Sequence, residues 1–145
     1  MIAAPYGDLL GAVAVEERPT SMKVTRFYTG EDNRSHFEDL DIPLNEVRGR
    51  LMSDTIGVKG LILRESDGTL DIPLHVAPRR QLILCMTGEV EIELGNGEVR
   101  RFVPGDVYMA DDMTGEGHIH REVSGPLHHA WVFLDPDMDL SPWRK

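Results

Sequence analysis

Histidines are the residues of this chain whose spacing most suggests chemistry. His118, His120 and Glu122 alternate along a segment predicted to be extended. Side chains at every second strand position leave the same face, so the two imidazoles and the carboxylate are expected to lie together. Such groups can bind a divalent metal or transfer protons. His128 and His129 are adjacent in the last predicted strand, so only one of them can point inward.

Composition limits the partners that this protein can have. The 145 residues suit one domain, and the formal net charge is −10. That charge argues against binding nucleic acid and against anionic membrane surfaces, which leaves a small molecule or a protein partner. The single cysteine, Cys85, cannot form a disulfide within the chain, so a reducing compartment, the cytoplasm, is expected. Nothing nearby in the sequence would activate this thiol, so we expect it to be buried and inert.

The elements that must position these residues are predicted to be short strands. From Met22 onward, extended segments alternate with turn signals, of which Asn96-Gly97 is the strongest hairpin signal. No long segment shows the helical period, although residues 44–52 fit either a short helical turn or a strand. This pattern predicts an all-β fold, a jelly-roll-type double sheet over residues 22–140. The tail after residue 134 is expected to be irregular.

The first 21 residues are interpreted as an N-terminal extension. The segment is rich in alanine, glycine and proline, so it can be a disordered lead-in. It can also be an edge strand that is exchanged with a second copy of the chain. Because small barrels leave edge strands that need covering, we expect a homodimer.

Two sequence blocks resemble the metal-binding motifs of the cupin superfamily. His75, Gln81 and Gly88 reproduce the spacing of the first motif. The Pro104-Gly105 turn and the later His118 are similar to the second. The resemblance covers roughly residues 57 to 134. It implies a small single-domain cupin, a double-stranded β-helix barrel with a divalent metal bound inside.

The departures from the cupin pattern affect the metal ligands. Ala77 stands where the family has its second histidine, and Gln81 stands where it has glutamate. The resemblance therefore implies a degenerate metal site with His75, Gln81 and His118 as ligands, and His120 as a candidate for the place left by Ala77. Zinc, iron, nickel or manganese would suit this set, and we expect weak binding.

Three functions remain open at this stage. The first is a metal-dependent enzyme that acts on a small oxygenated metabolite, by weak Lewis-acid chemistry (isomerase, cyclase or lyase) or by oxygenation. The second is a non-catalytic barrel that binds a small ligand. The third is a metal-free enzyme in which Gln81 and the histidines transfer protons. Arg79 and Arg80, which follow His75, are candidates to bind a substrate carboxylate or are ordinary solvated charges.

Overall fold

The computed structural model describes residues 20–144, and these residues are almost entirely extended. The strands are β1 (Ser21–Thr29), β2 (Ser35–Pro43), β3 (Asn45–Val47), β4 (Arg50–Met52), β5 (Gly60–Ser66), β6 (Asp71–His75), β7 (Gln81–Leu94), β8 (Val99–Phe102), β9 (Val107–Asp111) and β10 (His118–Phe133). One short 3-10 helix, Ser141–Trp143, follows them. The predicted N-terminal extension, and its possible exchange between chains, lie outside the described residues apart from Thr20 and Ser21.

Two long strands, β7 and β10, join the two layers of the fold. The sheet runs in the order β2-β1-β9-β7-β10-β5, while β8 pairs with the second half of β7 and β6 with the first half of β10. The pairing of the two long strands shifts in register between Glu122 and His129 of β10, opposite the region of Gly88 in β7. Gly88 has a φ of 79°, and a β-carbon there would lie 2.8 Å from the Leu127 Cα. The strands and their order in the sheet confirm the predicted all-β, jelly-roll-type double sheet.

The core lies in two parts. The first fills the space between the layers. The second lies on the outer side of β1, β2, β7 and β9, where the C-terminal segment covers it with Leu134, Leu140 and Trp143. The tail is irregular as expected, except for the 3-10 helix. Its packing continues beyond the predicted domain boundary at residue 140, because Trp143 is buried.

Some strands differ from those that the sequence predicts. Residues 35–43, an acidic stretch for which the sequence predicts no particular element, form β2 and pair with β1 along nine residues. Acidic side chains of this strand form ion pairs with basic side chains, as Asp39 does with Arg100. Residues 44–52 contain the hairpin of β3 and β4 rather than a helical turn. No helix within residues 20–144 is long and apolar enough to cross a membrane.

Candidate functional site

A cavity of about 300 Å³ opens between the two layers. Most of its wall is apolar or aromatic, and a few polar side chains interrupt it, a composition typical of small-molecule sites. The polar members of the wall are His75, Gln81, His118, His120 and Arg64. All four residues predicted to bind metal therefore line one cavity, and so does Ala77.

His75 and His118 lie side by side in this cavity. Strand pairing sets β6 against β10 with these two residues in register, and their ring centroids are 4.4 Å apart. His75 Nδ1 lies 2.8 Å from the Pro73 carbonyl oxygen, and His118 Nδ1 lies 2.7 Å from Asp112 Oδ2. Because a carbonyl or carboxylate oxygen accepts, each Nδ1 is the protonated nitrogen, which leaves Nε2 of both rings free to bind a metal. Metal-binding histidines are held in this way.

Asp112 is a site residue that sequence reasoning missed. Its side chain is 0% exposed, and Oδ2 also accepts a hydrogen bond of 2.7 Å from Ser35 Oγ. Oδ1 is buried and has no hydrogen-bond partner among residues 20–144. Within residues 20–144, the ion-pair partner of Asp112 is His118. Because a buried carboxylate is costly without a compensating charge, the arrangement favours a cation bound beside His118.

Gln81 and Ala77 complete this end of the cavity. Gln81 is the first residue of β7 and is buried, and its Oε1 has no partner in the part of the chain that the structure describes. An unpaired amide oxygen on a cavity wall needs a donor or a cation. Ala77 is buried beside it, and its N–H donates to the Asp112 carbonyl. The donors therefore fit a metal held by two imidazoles and one amide.

His120 belongs to a second polar cluster, at the Arg64 end of the cavity. Its Nε2 lies 3.3 Å from Glu122 Oε2, and burial lowers the pKa of the imidazole, which is therefore neutral at pH 7. Glu122 is buried and bonds Arg64 Nη2 at 2.6 Å, the Ser66 hydroxyl and the Leu70 N–H.

Glu122 is ionised although it is buried. Burial by itself would raise the pKa of this carboxyl, but the hydrogen bonds from Ser66, Arg64 and His120 outweigh burial and lower the pKa to about 2. His120 thus bonds a carboxylate that is already paired. Within residues 20–144, no group of three or more histidine, cysteine, aspartate or glutamate side chains is arranged to hold a metal.

The remaining candidates lie away from this wall. His128 points outward and bonds Glu65, whereas His129 points inward and is buried; burial and the Arg64 charge lower its pKa to about 4. Burial raises the pKa of Cys85 to about 12, so the thiol is inert as expected. Arg80 bonds Asp111 and the Met138 carbonyl, so it anchors the C-terminal segment and is not among the cavity residues.

The arrangement of the strands decides the architecture. Two layers share the long strands β7 and β10, and the histidines of both motifs meet between the layers. The fold is a two-layered jelly-roll-type β-barrel. Neither a family model nor a curated protein matches the sequence. A solved structure that is similar is the Schizosaccharomyces pombe Cnp3 cupin domain, at 8% identity and a TM-score of 0.30 over 82% of this chain and 88% of that chain. A likeness of this size carries no argument about ligand or activity.

Proposed function

We propose that this protein binds a small oxygenated molecule in the cavity and holds a divalent metal weakly between His75 and His118, with Gln81 as a neutral third donor. The observation that carries the proposal is the pair of adjacent imidazoles whose Nδ1 atoms are both engaged by oxygen acceptors. When bound, the metal would act as a Lewis acid toward a substrate oxygen. Isomerisation, cyclisation and elimination would need such a Lewis acid together with a group that accepts a proton.

The chain's own residues provide the rest of the site. Asp112 fixes the tautomer and orientation of His118 and supplies negative charge behind it. The apolar wall, which includes Ile72, Ile83 and Trp131, displaces water from the ligand. His120 is neutral and lines the same cavity, so it can accept a proton from a bound substrate.

Removing either histidine of the pair is expected to abolish most metal binding. His75→Ala and His118→Ala should each weaken the affinity for Zn²⁺ by at least about tenfold, since each removes one of the two imidazole ligands. The measurement is calorimetric titration of Zn²⁺ into protein purified without a metal-affinity column. His128→Ala is the matched control, because His128 is exposed and bonds Glu65 on the outside of the barrel. Equal affinities in all four proteins would contradict the proposal.

A metal-free ligand-binding barrel is the second candidate. It is favoured because, in the described part of the chain, no third histidine or acidic side chain is arranged with His75 and His118 to hold a metal. If neither the parent protein nor His118→Ala binds Zn²⁺, this candidate replaces the first.

The proposed assembly is a homodimer that forms through β5. This strand pairs with β10 on one side and ends the sheet, and it exposes Leu61 by 58% and Leu63 by 71%. Leu84 and Met86 of β7 extend the apolar area. Exposed apolar edge strands of this kind are typical of interfaces between chains.

Charges on this edge are expected to dissociate the dimer. Light scattering at micromolar concentration should report about twice the 16.3 kDa chain mass for the parent protein. Leu61→Lys with Leu63→Lys should report the mass of one chain, because a lysine pair blocks strand pairing. Val99→Lys with Val103→Lys, at exposed positions near β8, is the control and should remain dimeric. A monomeric parent would rule the assembly out.

A further inference from the structure

Arg64 has one hydrogen-bonding atom that no residue of the described chain uses. The side chain lines the cavity and its guanidinium lies over Trp131, with 5.5 Å between the guanidinium carbon and the ring centroid. Nη2 is bonded to Glu122, but Nη1 is buried and has no hydrogen-bond partner within residues 20–144. A buried guanidinium N–H without an acceptor is costly, so an oxygen that reaches this atom from outside the described residues would be favoured.

The charge of Arg64 is already balanced at this place. Glu122 has no exposed side-chain surface and lies 2.6 Å from Arg64 Nη2. A carboxylate placed on Nη1 would therefore lie close to a second, buried carboxylate, and like charges brought together at a binding site cost several kcal/mol. An uncharged oxygen, by contrast, would satisfy Nη1 without that repulsion.

From these contacts we infer that the ligand presents an uncharged carbonyl oxygen to Arg64 Nη1, so that the cavity selects amides, ketones or esters over carboxylates. The inference rests on the proposed function only in that the cavity binds a small molecule. The body of the ligand is apolar, because Leu70, Ile72 and Trp131 surround the same end. Glu122 acts here as a specificity residue, because it removes the positive charge that would otherwise attract an anion.

Cyclohexanecarboxamide and cyclohexanecarboxylate test this inference, because they share a ring and differ in the charge of the oxygen group. Their binding is measured by calorimetry and by tryptophan fluorescence of the Trp143→Phe protein, in which Trp131 is the remaining tryptophan. EDTA is present throughout, so the result does not depend on metal binding. We expect the amide to bind at least about tenfold more tightly than the carboxylate.

Two substitutions separate this role from simple packing. Glu122→Gln keeps an acceptor for Arg64 and removes the charge, so the preference should shift toward the carboxylate by at least about tenfold. Arg64→Lys keeps a cation beside Glu122 but lacks the second N–H arm, so it should weaken amide binding. Arg100→Lys is the matched control, because Arg100 bonds Asp39 and is absent from the cavity wall.

Several outcomes would overturn the inference. They are tighter binding of the carboxylate by the parent protein, an unchanged preference in Glu122→Gln, equal amide affinity in Arg64→Lys and the parent, and binding of neither probe. Each of them leaves the Zn²⁺ titration of the histidine pair unaffected, so failure here is distinguishable from failure of the proposed metal site.

Discussion

The double variant Ala77→His with Gln81→Glu is expected to bind Zn²⁺ roughly 100-fold more tightly than the parent protein. Ala77 and Gln81 are buried, and they line the same cavity as the His75–His118 pair. An imidazole at position 77 would add a ligand, and glutamate at position 81 would replace a neutral amide with a full negative charge beside the cation. Calorimetric titration of the metal-free proteins measures the difference.

A matched variant away from the cavity controls for the added side chains alone. Val99→His with Val103→Glu introduces the same two side chains at exposed positions, so it should leave the Zn²⁺ affinity unchanged. Stability gives a second readout, because a ligand that binds only the folded state raises the melting temperature by an amount that grows with the logarithm of its affinity. If both double variants bind Zn²⁺ as the parent does, positions 77 and 81 do not face a metal site.

Arg64→Met is expected to lower the free energy of unfolding by about 3–5 kcal/mol. The substitution leaves the Glu122 carboxylate buried with its ion pair broken, and a buried charge without its partner is strongly destabilising. The hydrogen bonds from Ser66 and Leu70 remain, and they compensate for only part of that loss. Urea unfolding of the parent and the variant measures the difference.

Neutralising Glu122 should reverse most of this loss. In the double variant Arg64→Met with Glu122→Gln, no charge is left unpaired and an amide oxygen still accepts from Ser66, so we expect stability near that of Glu122→Gln alone. Arg101→Met removes an arginine whose ion pairs with Glu89 and Glu91 are half-exposed, and it should cost less than about 1 kcal/mol. Equal losses for Arg64→Met and Arg101→Met would show that the buried pair contributes little.

The sequence alone determined the fold class and the histidines of the cavity wall. Turn signals and alternating hydrophobicity depend on neighbours in the chain, so they predict β7, β9 and β10 without knowledge of what packs on them. Parity along β10 likewise predicts that His118 and His120 share a face, and both line the cavity. The resemblance of His75, Gln81 and His118 to the cupin motifs implies that they lie together, and all three line the cavity.

Only the tertiary structure shows which side chains bond to those residues. β2 was not predicted, because its acidic residues obscure the pattern of a strand and are bound by arginines from other strands only in the fold. Asp112 and Arg64 carry no local signal, because their roles arise from contacts with His118, six residues away, and with Glu122, 58 residues away. Strand pairing brings these residues together, and no pattern within a single segment encodes that pairing.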